Sequence, residues 1–206
     1  MISSETFGWR SRHRGSRGTS HRLANAFGLV TRSCRWPADG DRAAMAAANV
    51  SNSRIVTGRG IGIGTHLASY GAAVAEIEVN KDTGKIVAKH MYGAIDAGLA
   101  VNPGNIENQI SGQLVQTVSR MLKEEVAFNS TNVTSLDWNT YPILRFEEAP
   151  QVTPVVVQRT NERSTGAGEE VMAGAAAAIA NAFFDATGVR MAEYPMTPKR
   201  VLAALH

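Results

Sequence analysis

Two glycines around an alanine, followed by two acids, make Gly166-Ala167-Gly168-Glu169-Glu170 the stretch with the most chemical content. Lacking a Cβ, glycine lets a backbone come close to a ligand. The pattern that follows, from about Glu170 to Ala186, is helical, so the turn opens at a helix N-terminus. Unpaired N–H groups there can hold an anion such as a phosphate. A carboxylate at the mouth of a pocket in such a place has the chemistry of a general base, which makes Glu169 the candidate catalytic residue. Acids in a first helical turn also complement the helix dipole with no catalytic role, and on local grounds both readings stand.

A second constellation spreads over Ala97, Asn102, Pro103, Gln109 and Gly112. The Gln109 side chain offers both an amide donor and an acceptor, a combination that suits the edge of a heterocycle. It equally suits a partly exposed helix face. Other chemistries find less support. The five histidines, at 13, 21, 66, 90 and 206, include no i, i+4 pair, so no metal site built from protein ligands is expected. The single cysteine, Cys34, excludes an intrachain disulfide and a cysteine-held iron–sulfur cluster. Ser119 and Ser164 lie in no nucleophile elbow. The run GRGIGIG at 58–64 does not have the G-x-G-x-x-G spacing, and a tight, backbone-exposed lead into a strand is expected there.

The elements that must position these residues follow from periodicity. Ala72, Val74, Glu76 and Glu78 alternate with Ala73, Ala75, Ile77 and Val79, the mark of a strand. The turn Asn80–Lys85, with Gly84 suited to positive φ, predicts a hairpin whose second strand runs from Ile86 to Ile95. Asn102 as N-cap and Pro103 at the first helical position predict a helix, with Ile106, Ile110, Leu114, Val118 and Leu122 as its buried stripe. Glu124 and Glu125, unfavourable at a C-terminus, are expected to fray or be paired. Residues 126–150 read as strand and loop anchored by Phe128, Trp138, Tyr141 and Phe146, and Val155-Val156-Val157 as a short strand. Gly188 is the stop for the helix after the glycine turn, and Thr197-Pro198 begins a last one. The class is α+β: one domain with a β-hairpin, short strands and about three helices, over residues 57–206.

Residues 1–56 show no convincing period and are expected to form a disordered or non-native basic tail. Seven arginines and one acid give residues 1–38 a net charge of +6, whereas the whole chain carries +3, so residues 39–206 carry −3. The pI of 9.2 therefore reports the tail. Nucleic-acid binding would rest on that tail alone, and no nucleic-acid partner is expected. Hydrophobic content of 44% and charged content of 19% are ordinary for a globular protein, and no apolar run is long enough to span a membrane.

Taken in order, GRGIGIG, YGAAVAEIEVNKDTGKI, DAGLAVNPGNIENQISGQLVQTVSRMLKEE, YPILRFEEAPQV, GAGEE, ANAFFDATGVR and YPMTP resemble the second molybdopterin-binding domain of the xanthine dehydrogenase and aldehyde oxidase family. The resemblance runs from about Gly58 to the C-terminus and is nearest to the isoquinoline 1-oxidoreductase beta-subunit type. It implies a molybdenum–molybdopterin cofactor, either plain or in the cytosine dinucleotide form, with the metal held by the pterin. It implies that Glu169 is the base, taking a proton from a hydroxyl on molybdenum whose oxygen attacks an aldehyde or N-heterocycle. Gly166, Ala167 and Gly168 would lie against the cofactor through their backbone, and Gln109 would hydrogen-bond the pterin. The implied partners are a chain carrying the first molybdopterin-binding lobe and a [2Fe-2S] electron-transfer subunit. At 206 residues the chain is expected to be part of such an enzyme and inactive alone. The other expectation is a non-catalytic, truncated remnant of such a subunit.

Overall fold

The computed structural model describes residues 17–34 and 53–206. Four strands form one sheet in the order β1 (Ile55–His66), β2 (Ser69–Asn80), β3 (Ile86–Asp96) and β4 (Gln151–Val157). The first three run antiparallel as a meander, and β4 lies parallel to β3. A parallel neighbour needs a crossover, and the 54 residues between β3 and β4 supply it with helix α2 (Pro103–Leu122). Helices α1 (Arg17–Ser33), α3 (Met172–Thr187) and α4 (Pro198–Leu205) complete the α+β architecture.

The turn at Asn80–Lys85 forms as its residues dictate. Gly84 takes φ 71°, and the Asn80 side chain accepts hydrogen bonds from Asp82 and Thr83 N–H. The alternation in β2 sends Ala73, Ala75, Ile77 and Val79 into the main core with α2 and α3, while Ala72 and Val74 pack on the other face against α1. Phe183, Ile179, Ile110 and Leu114 are wholly buried in the main core, each contributing about 1.5–3 kcal/mol by leaving water.

The glycine-dense run at 58–64 is not a lead into a strand but the strand itself. Its alternate residues Gly58, Gly60 and Gly62 face α3, where a Cβ at each would stand 2.0–2.1 Å from the carbonyl oxygens of Ala182, Ala178 and Gly174. The alanine-rich helix and the glycine-striped strand are one packing device, two smooth surfaces meeting at backbone distance.

Residues 17–33, expected to belong to a disordered tail, form helix α1. Its period is carried by Arg22, Ala26, Val30 and Cys34, four apart, three of them small. Ala26, Val30 and Cys34 pack on Ala72, Val74, Ala94 and Val157. Arg22 reaches the fully buried Asp96 at the end of β3, with Nη2 2.7 Å and Nε 3.0 Å from Oδ1. Tertiary contact and an ion pair thus hold a helix whose weak apolar stripe did not announce it. Residues 1–16 and 35–52 of the expected tail lie outside the described residues. Residues 57–206 hold three α-helices, as expected, and α1 is a fourth that precedes them.

Residues 123–150 contain one bridge, Phe128 to Val133, and a 3-10 turn at Phe146–Glu148. Phe128, Trp138 and Phe146, expected as anchors, are exposed, Phe146 at 98%. The segment is held instead by Leu144 against the main core and by polar ties to the end of α2. Tyr141 donates to Glu124 at 2.9 Å, the Leu144 N–H donates to Ser119 Oγ at 2.9 Å, and Lys123 pairs with Glu148. Glu125 is bound by Arg200 of α4, so both acids at the helix end are paired.

Candidate functional site

At the end of β3 the chain turns through Ala97 and Gly98, the latter at φ 72°. A Cβ on Gly98 would stand 2.0 Å from the Arg163 carbonyl oxygen, and the Thr165 N–H donates to Ala97 O at 3.0 Å. The loop before the glycine turn is therefore laid directly along the exit of β3. Asp96 fixes that exit. Its Oδ1 also accepts the Gly98 N–H at 3.1 Å, while Oδ2 forms an ion pair with Arg159 Nε at 2.8 Å.

Helix α2 starts as its cap predicts, with Asn102 Oδ1 accepting the Asn105 N–H at 3.1 Å. Its first two turns present Asn102, Asn105, Ile106 and Gln109 as one wall of a cleft of about 220 Å³. Ser164, Gly166 and Ala167 form the facing wall, with Ala97 and Val101 at its margin. Three of the five residues singled out in the sequence, Gln109, Gly166 and Ala167, thus meet in one cleft. Gly168 and Glu169 are not in its lining; both are exposed, one and two residues beyond Ala167. The Glu169 carboxylate forms no hydrogen bond or ion pair among the described residues.

The glycine turn is held from below. Ser69 Oγ donates to the Gly166 carbonyl at 2.7 Å and shares a 2.6 Å hydrogen bond with Thr165 Oγ1. Gln113 Nε2 donates to the Ala167 carbonyl, and Gln113 Oε1 accepts the Val171 N–H, both at 2.9 Å. Glu170 turns inward and Oε2 accepts the Glu169 N–H at 2.9 Å. Helix α3 then begins at Met172, two residues later than the sequence pattern predicts, because Glu169 to Val171 still belong to the turn.

Sequence reasoning did not find Ser69, Gln113 or Glu170 as site residues. Gln113 carried a usable signal: it lies between Ile110 and Leu114 on the buried face of α2, where a polar side chain must be paired. Ser69, at the start of β2, carried none.

A sheet covered by helices, with a cleft between an amide-bearing helix face and the backbone of a glycine turn, is the arrangement of a small-molecule binding domain. The comparisons with known proteins say which. A family model described as a molybdopterin cofactor-binding domain matches residues 30–150. The chain belongs to this family, among the molybdenum hydroxylases of the xanthine dehydrogenase and aldehyde oxidase type. A nicotinate dehydrogenase subunit of Pseudomonas putida is 44% identical over 138 residues, 67% of this chain and 12% of that protein. The beta subunit of isoquinoline 1-oxidoreductase from Brevundimonas diminuta is 27% identical over 145 residues, covering 68% and 18%. Aldehyde oxidoreductase from Desulfovibrio gigas superposes with a TM-score of 0.58 at 28% identity, over 66% of this chain and 15% of that one. The chain spans between 12% and 24% of the length of the curated relatives it matches.

The residues present fit the family's cofactor. Asn102, Asn105 and Gln109 offer amide donors and acceptors to one side of the cleft. A Cβ at Gly168 would meet nothing within 4 Å, so the turn leaves its outer surface open to a ligand. Among the described residues no cluster of His, Cys, Asp and Glu could hold a metal.

Proposed function

We propose that this chain forms one wall of the molybdenum–pterin pocket of a hydroxylase and supplies its base, Glu169. The observation that carries the reading is the meeting of the Gln109 amide with the Gly166–Ala167 backbone across one cleft, with the unpaired Glu169 carboxylate two residues further on. Gln109 hydrogen-bonds the pterin edge, and Gly166, Ala167 and Gly168 lie against the cofactor through their backbone. When bound, the molybdenum pterin supplies the oxygen-transfer and electron chemistry. The chain's part is to hold the cofactor in place and to accept a proton at the Glu169 carboxylate.

The relatives' names point to the substrate class, an N-heterocycle or an aldehyde, and the 44% identical nicotinate dehydrogenase chain favours the heterocycle. The cofactor is the molybdenum pterin, either plain or in its cytosine dinucleotide form. The other wall of the pocket comes from a chain or segment carrying the first molybdopterin-binding lobe, and electrons pass to a [2Fe-2S] subunit.

The test is to purify the tagged chain with its associated proteins, then measure molybdenum by elemental mass spectrometry and released cytosine nucleotide by chromatography. Stoichiometric molybdenum, together with a Glu169→Gln variant that keeps the metal and loses turnover, is the expected result. Retained turnover in that variant sinks the base assignment. A chain recovered with neither metal nor partner is the non-catalytic remnant instead.

A further inference from the structure

Gln113 stands on the core face of α2 between Ile110 and Leu114, only 4% exposed. A buried amide is costly unless both ends are paired. Here both ends go to the glycine turn, Nε2 to the Ala167 carbonyl and Oε1 to the Val171 N–H, each at 2.9 Å. These two bonds bracket Gly168, Glu169 and Glu170. Inside the bracket, Glu170 is also 4% exposed, and its Oε2 accepts the N–H of Glu169 itself at 2.9 Å. Its other oxygen faces His66 Nδ1 at 3.8 Å. Of two consecutive acids, one points out with no partner and the other is drawn inward onto its neighbour's backbone.

We infer that Gln113 and Glu170 are positioning residues: a two-part clamp that fixes the backbone of Gly168 and Glu169 and so sets where the Glu169 carboxylate stands relative to the cleft. The role of Glu169 rests on the reading above; the clamp itself does not. Gly168 would otherwise leave this stretch free to pivot, since glycine restricts neither φ nor ψ. Gln113 ties both sides of the pivot to α2, and Glu170 ties the middle. A leucine at 113 would continue the apolar stripe of the helix but would leave the Ala167 carbonyl and the Val171 N–H without their partners.

The experiment has two readouts. In the chain itself, amide hydrogen exchange resolved by residue should show the Glu169 and Val171 N–H groups protected. Gln113→Leu should remove protection at Val171, and Glu170→Ala at Glu169. Glu170→Gln, which keeps an acceptor oxygen in place, should restore it. In the enzyme assembled with its partners, Gln113→Leu and Glu170→Ala should lower kcat by roughly 10–100-fold, the scale expected when a reacting group is displaced by about 1 Å. Molybdenum content should stay equal and KM within about threefold, with Glu170→Gln recovering most of the loss. Lost protection with unchanged kcat, or a kcat that falls only in proportion to molybdenum, overturns the inference. If Gln113→Leu does not fold, the Glu170→Ala and Glu170→Gln pair decides by the same criteria. Turnover surviving Glu169→Gln would overturn the base assignment alone, because the protection pattern tests the clamp independently.

Discussion

Gly60 on β1 faces Ala178 on α3 so closely that a methyl group added to the glycine would stand 2.0 Å from the Ala178 carbonyl oxygen and 2.2 Å from the Ala182 nitrogen. Both neighbours are backbone and neither can swing aside. Gly60→Ala must therefore push the helix off the sheet, an overpacking expected to cost about 1–3 kcal/mol or more. Gly112, exposed on α2, is the control, because a Cβ there meets nothing within 4 Å. Gly112→Ala should stabilise by up to about 1 kcal/mol, the helical penalty of glycine. Urea denaturation of both variants checks the pair.

Asp96 is fully buried and is tied to Arg22 of α1, to the Gly98 N–H and to Arg159. Removing Arg22 leaves the buried carboxylate with Arg159 as its cation but strips Oδ1 of two charged hydrogen bonds, each worth about 1.5–3 kcal/mol. Arg22→Ala should destabilise by about 1.5–3 kcal/mol and loosen α1 from the sheet. Faster hydrogen exchange confined first to residues 17–33 would report that release. Unchanged exchange there would mean that Ala26, Val30 and Cys34 hold the helix unaided.

His90 stacks on Tyr92, shares a 2.8 Å hydrogen bond with Thr153, and is partly buried on the sheet. Burial lowers its pKa from the ordinary value of about 6.5, with Glu76 opposing and Arg59 assisting. The unfolded chain therefore takes up a proton at higher pH than the folded one. The stability associated with a neutral His90 is fully present above about pH 6.5 and is lost as the pH falls below it. In His90→Gln the curve of stability against pH should be flatter between about pH 7 and pH 5. An unchanged slope would assign the acid sensitivity to other groups.

The Glu169 side chain is exposed, and its carboxylate makes no tie to the rest of the fold among the described residues. Glu169→Gln should leave unfolding free energy within about 0.5 kcal/mol of the parent chain. A large loss of stability in this variant, seen by thermal denaturation, would show that the carboxylate holds structure and would remove the contrast on which its catalytic role rests.

The sequence by itself determined the local elements. Alternation in β2, the Asn80–Lys85 turn, the Asn102-Pro103 helix start and the Gly188 stop need only neighbours a few residues away, and each forms as its residues dictate. It also carried the family's ordered motifs, with Gln109, Gly166 and Ala167 already singled out. Only the tertiary structure decided what acts across long separations. The glycine run became a strand because α3 lies against it, and α1 formed because Asp96, 74 residues from Arg22, receives its side chain. Phe128, Trp138 and Phe146 stayed exposed because polar bonds to the end of α2, with Leu144 against the core, hold that segment. The inward turn of Glu170 and the outward turn of Glu169 depend on Gln113 and the buried floor of the turn. Two identical, adjacent side chains carry no such difference in the sequence; their surroundings create it.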